Sequence, residues 1–167
     1  MCEAIWIHTE NLVPTNIDAT DRVILNEMQR DGRMTNSALA ERVHLSPSAC
    51  LRRVRRLEDA GIISGYTTLL NRRSIGRSTT VFVEVSLTGQ QEELLQLFES
   101  EVGNCPEVMS CHLMAGMADY VLYVVADDVE DYERIHRTHL SRLPGVAQIR
   151  SSFALRAICE KTAHELL

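Results

Sequence analysis

Four arginines fall within five positions, Arg52, Arg53, Arg55 and Arg56, in a chain of net charge −6. Guanidinium groups at that density suit phosphate oxygens and the acceptor edge of guanine, which they meet with paired N–H donors. Just upstream, Ser46-Pro47 has the form of a helix start: an N-cap hydroxyl, then a proline at the first helical position, where its missing N–H costs nothing. At 100° per residue from Cys50, Val54 and Leu57 fall within about 40° and Leu51 at about 100°, which defines a core face. Ser48, Arg55, Arg52 and Arg56 cover the arc from roughly 140° to 240°. Arg53, at about 300°, sits nearer the core edge, in reach of Glu58 or Asp59. Taken alone, the cluster also fits an arginine-rich solvated helix.

A second candidate is "MAGMADY", residues 114–120. Gly116 is free to adopt positive φ and to let backbone N–H groups approach a small ligand. Asp119 can accept from an α-ammonium group while exposed N–H groups receive a carboxylate. A plain hairpin turn is the alternative for these residues.

The elements that must position these groups fall into two modules of opposite charge. Residues 18–77 hold eleven arginines against seven carboxylates, net +4, whereas residues 78–167 hold six basic against fourteen acidic residues, net −8. That asymmetry points to a nucleic-acid-facing module joined to one with another task. In the first, a helix from Asp18 or Thr20 to Arg30 is expected to end at Asp31-Gly32, with Gly32 left-handed. A second begins after Thr35 as N-cap, with Met34 placed against Leu39 and a stripe of Ala38, Leu39 and Val43. The third starts at Ser46, after the tight "VHLS" turn, and stops at Gly61. Two short helices with the arginine-bearing one second describe a helix-turn-helix, whose second helix enters the major groove.

From residue 78 the pattern changes. Val81, Val83 and Val85 alternate with Phe82, Glu84 and Ser86, a half-buried strand. Leu94, Leu95, Phe98 and Val102 form one helical stripe; "EVMSCHLM" and "DYVLYVVA" are strands around "AGMA". "DVEDYERIHRTHLSRL" is a helix with Tyr132, Ile135, His139, Leu140 and Leu143 on a face, its acidic start favoured by the helix dipole. "PGVAQIRSSFAL" returns as a strand. The order β-α-β-β-α-β is ferredoxin-like, so the chain is expected to be α+β. Val81, Val83, Val85, Val121 and Tyr123 exceed what one small sheet needs, which predicts a homodimer packed through these sheets.

The segments "D-x-x-D-R-V-I-L-N-E-M-Q-R-D-G-R", "LSPSACLRRVRRLEDAGII" and "GYTTLLN" resemble the DNA-binding half of the Lrp/AsnC, or feast/famine, family of bacterial transcription regulators, with likeness over about residues 18–165. The resemblance implies a winged-helix-like helix-turn-helix domain at 18–64, a hinge strand and linker at 65–77, and an effector-binding and oligomerisation domain at 78–167. Its partners would be double-stranded DNA, an amino acid or related effector, and further copies in a homodimer or larger ring such as an octamer. The DNA-facing set is then Thr35, Ser46, Ser48, Ala49, Arg52, Arg53, Arg55 and Arg56, with Arg52 at a position that varies among such regulators. The family's effector loop carries Gly-x-x-Asp-Tyr, matched by Gly116, Asp119 and Tyr120, and Met114, Met117 and Ala118 complete the effector-facing set. Met117 departs from the polar or acidic residue of many members.

Other chemistry finds little support. No P-loop, GxSxG, HExxH or glycine-rich dinucleotide signature occurs, so no enzyme and no cofactor is expected. A small-molecule enzyme bearing a basic helix and an effector-free DNA-compacting protein are the rival classes. His136 and His139 stand three apart without a completing ligand, so no metal site is expected. Five cysteines with no C-x-x-C pair fit reduced thiols in a cytosol, and a Cys105–Cys111 redox pair is not expected. With no apolar run near the roughly 18 residues of a membrane span and no basic leader, a cytoplasmic location is expected. Residues 1–17, with Trp6 between Ile5 and Ile7, read as an arm that packs on a partner or stays disordered.

Overall fold

Three polar caps set the N-terminal helices. Asp18 accepts from the Asp21 N–H at 2.8 Å and Asp21 accepts from the Asp18 N–H at 3.1 Å, a reciprocal capping box that starts α1, Ala19–Arg30. Thr35 caps α2, Asn36–Arg42, and Ser46 caps α3, Pro47–Asp59, through the Ala38 and Ala49 amides. The computed structural model describes residues 16–166, so the expected arm around Trp6 lies outside the described residues. Ile24, Leu25, Leu39, Ala40, Val43, Cys50, Val54 and Leu57 form the core of this module.

Several local expectations change. Ala40, not Ala38, completes the α2 stripe. Leu51 is exposed on α3, because the three-helix core closes over Cys50, Val54 and Leu57 alone. Gly32 is not left-handed: α1 ends through extended Asp31, whose N–H donates to the Glu27 carbonyl. The left-handed caps follow the next two helices instead. After α3, Gly61 (φ 69°) donates to the Glu58 carbonyl and Ile62 to that of Leu57. After α2 the same hydrogen-bond pattern is built on His44 (φ 55°), with Leu45 donating to the Ala40 carbonyl at 2.9 Å.

The C-terminal module runs β1 Thr79–Leu87, α4 Glu92–Val102, β2 Val108–Leu113, β3 Tyr120–Ala126, α5 Val129–Thr138 and β4 Val146–Phe153. The four strands pair antiparallel in the order β2-β3-β1-β4, the ferredoxin-like arrangement. Val81, Val83 and Val85 of β1 and Leu122 and Val124 of β3 have no exposed surface; they pack with Phe98 and Val102 of α4 and Ile135 of α5. Those valines are therefore used within the module and cannot serve an interface between copies, contrary to expectation. The opposite sheet face carries Phe82, exposed, beside half-buried Tyr123 with ring centroids 5.7 Å apart. Gly145 (φ 72°) turns the chain into β4 in a left-handed conformation that favours glycine, and a Cβ there would stand 2.5 Å from Leu94 Cδ1 and displace that side chain.

Residues 65–77 form no strand: residues 64–71 are irregular and Arg72–Ile75 make a single 3-10 turn. An isolated extended segment has no ladder partner to satisfy its amides. The chain divides into a unit of residues 69–157 and one of residues 16–68 together with 158–166. Residues 158–166 thus pack with the helical module.

Candidate nucleic-acid interface and effector loop

The four arginines of α3 separate into two pairs. Arg53 donates to Asp18 at 2.7 Å and to Asp21 at 2.9 Å, and Arg56 donates to the other oxygen of Asp21. Asp21 is wholly buried, and its carboxylate is satisfied by both guanidiniums and by the Asp18 amide. A buried charge is tolerated only when paired and hydrogen-bonded in this way. The Arg53 guanidinium, together with the Asp21 amide, holds the Asp18 carboxyl at about 2, well below the usual 3.8. These two arginines thus tie α3 to the start of α1. The partners are Asp18 and Asp21 rather than Glu58 or Asp59, a long-range pairing that spacing along α3 cannot reveal.

Arg52 and Arg55 are exposed and, among the described residues, make no ion pair. With Ser48, Leu51, Arg53, Arg56 and Asp59 they line a shallow hollow on the outer side of α3. Ser48 is exposed and its hydroxyl lies 3.3 Å from that of Ser46; Ala49 is half-buried. Thr35 and Ser46 use their hydroxyls as caps. Asn36, which sequence reasoning missed, donates from Nδ2 to the Pro47 carbonyl at 2.8 Å and pins the start of α3 to α2. Glu27 likewise links the helices, accepting from Arg42 at 2.8 Å and from Arg30, and its carboxyl is pulled down chiefly by Arg42.

The loop between β2 and β3 is open in the single chain. Met117 is 92% exposed, and a Cβ on Gly116 would meet nothing within 4 Å. Gly116 does not adopt positive φ, so the conformational freedom read from its type is not used here. Asp119 already has structural work: Oδ2 accepts from the Leu87 N–H and Oδ1 from Gln90 Nε2, each at 2.7 Å. Its backbone closes the loop, with the Met114 amide donating to the Asp119 carbonyl and the Asp119 amide to that of Val85. Tyr120 is buried, stacked on Phe98 at 4.5 Å, with its hydroxyl donating to Glu99 at 2.8 Å. Burial and Glu99 push the phenol up, and its ring belongs to the core beneath the loop. Met114 is exposed and Ala118 half-buried.

Among the described residues no cluster of three metal-ligating side chains occurs, and no helix is long and apolar enough to cross a membrane.

Comparison with known proteins matches residues 17–64 to a winged helix-turn-helix DNA-binding family and residues 80–164 to the Lrp/AsnC ligand binding domain. The leucine-responsive regulatory protein of Klebsiella pneumoniae is 42% identical over 143 residues, covering 86% of this chain and 87% of that one. A transcriptional regulator from Neisseria meningitidis, solved in complex with L-methionine, superposes with a TM-score of 0.83 at 38% identity, covering 88% of this chain and 95% of its own. The feast or famine regulatory protein of M. tuberculosis, also solved with L-methionine, gives 0.80 at 30% identity over 90% and 100% of the two chains. With a basic recognition helix on one module and this domain on the other, the chain belongs to the Lrp/AsnC family of transcription regulators.

Proposed function

We propose that this regulator contacts DNA through Ser48, Arg52 and Arg55, while Arg53 and Arg56 hold α3 at the angle the groove requires. The observation that carries this reading is the division of one arginine cluster by Asp21, which engages Arg53 and Arg56, whereas Arg52 and Arg55 are exposed and make no ion pair among the described residues. Arg52→Ala and Arg55→Ala should each weaken binding to the protein's own upstream DNA without lowering stability. A phosphate-contacting arginine should lower the slope of log affinity against log salt by about one. Unchanged slopes in both variants, read by mobility shift, would take this face out of the interface.

The effector is an uncharged amino acid held at 114–120, where Met117 and Ala118 offer an apolar surface and a charged side chain would lack a partner. L-methionine in two solved relatives agrees with that chemistry. Within one chain the loop has no wall opposite Met117, so a second copy must close the site. Asp119 shapes the loop, and only the remaining lone pairs of its two engaged oxygens are left for an α-ammonium group. Titration calorimetry should show L-methionine or L-leucine binding more tightly than L-lysine or L-glutamate. Gly116→Val should reduce that affinity by crowding the ligand, with DNA binding retained. Tighter binding of a charged amino acid overturns the apolar site. The working protein is then a cytoplasmic dimer or larger assembly, a reading supported by its DNA-binding family and by the open side of the effector loop.

A further inference from the structure

The end of the chain docks on α1. Gln29 donates from Nε2 to the His164 carbonyl at 2.9 Å and accepts the His164 N–H on Oε1 at 2.7 Å. One turn earlier, Asn26 repeats the pattern on Leu166, with Nδ2 to the carbonyl at 3.0 Å and the N–H to Oδ1 at 3.2 Å. A primary amide presents a donor beside an acceptor, the complement of the N–H and C=O of an extended residue. Residues i and i+2 of an extended segment present those groups along the same edge, so two amides a helical turn apart read one strand in register. The half-buried side chain of Leu166 packs against the helical core.

We propose that Asn26 and Gln29 form a peptide-docking site that recognises the backbone of the chain's own C-terminal segment, and that the docked segment is a strap on the DNA-binding module. The chemistry it selects is an extended peptide with an apolar residue two places after the first amide contact. The same helix carries Asp18 and Asp21, which anchor Arg53 and Arg56 of α3. The strap therefore steadies the helix against which the recognition helix is set.

Hydrogen exchange on the full-length protein tests this directly. The amides of His164 and Leu166 should exchange at least about tenfold more slowly than in the Asn26→Ala/Gln29→Ala variant, whose alanines preserve the helix. Leu166→Asp should also lose protection while leaving both amides in place. The double variant should bind DNA several-fold more weakly with an unchanged salt slope, since no phosphate contact is removed. Equal exchange rates in wild type and double variant would overturn the docking site, and equal DNA affinity would overturn the strap's role. Protection that falls as the protein is diluted would assign the bound segment to a second copy, against the intrachain assignment.

Discussion

Asp21 decides what each arginine of the recognition helix can do. A buried carboxylate facing two guanidiniums cannot be removed without leaving both without their shared partner, and breaking fully buried pairs costs about 3–5 kcal/mol. Arg53 and Arg56 reach solvent, which reduces the penalty. Asp21→Ala should therefore destabilise the helical module by roughly 2–3 kcal/mol in urea unfolding, with the loss of the capping box included. DNA affinity should fall with it, whereas Arg52→Ala should leave stability unchanged. Asp18 supplies a pH signature at the same junction. Its folded value of about 2 lies below the usual 3.8, so its stabilising contribution is present above about 4 and disappears as pH falls through about 2. Carboxyl titration by NMR should find that midpoint near 2, and Arg53→Ala should return it toward 3.8.

At the scale of elements, the turn between α2 and α3 carries a local cost. His44 adopts a left-handed conformation that costs a residue with a Cβ roughly 1–2 kcal/mol relative to glycine. The equivalent position after α3 is Gly61, with the same hydrogen-bond pattern. His44→Gly should stabilise the module by about 0.5–1 kcal/mol, because part of the relief is offset by the freer unfolded chain. Thermal unfolding would register this as a rise of a few degrees; a fall would mean that the imidazole makes a contact worth more than the strain. The helices around this turn owe their relative placement to side-chain bonds between elements: Asn36 to Pro47, Glu27 to Arg42, and Asp21 to Arg53 and Arg56.

For the whole molecule, the two faces of the sheet have different tasks. One is covered by α4 and α5; the other shows Phe82, Val121 and Tyr123 amid Glu84 and Arg150. An aromatic pair flanked by opposite charges suits a self-complementary surface between two copies. Phe82→Asp should shift the protein from dimer toward monomer in light scattering at micromolar concentration, while Val83→Ala should lower stability without that shift. A monomeric wild type would exclude this use of the face. Loss of the dimer should also weaken DNA binding, since two helix-turn-helix modules would no longer act on one pseudo-palindromic site.

Residue types at fixed spacing determined the elements, the βαββαβ order and the polarity of the recognition helix by themselves. Alternating valines, a Ser-Pro helix start and a glycine stop act through neighbours a few positions away, so they can be read along the chain. Partners 32 to 35 residues apart, such as Asp18 and Asp21 with Arg53 and Arg56, were not legible. A wheel ranks an arginine by angle but does not say which carboxylate the fold brings beneath it. The same limit explains Tyr120 and Asp119, whose types suited a ligand but whose neighbours, Glu99, Leu87 and Gln90, come from distant parts of the chain. It also explains the C-terminal segment, which pairs with amides about 140 residues away. Local physics selects helix, strand and turn; which polar groups remain unpaired to meet DNA or effector is decided only when distant elements pack.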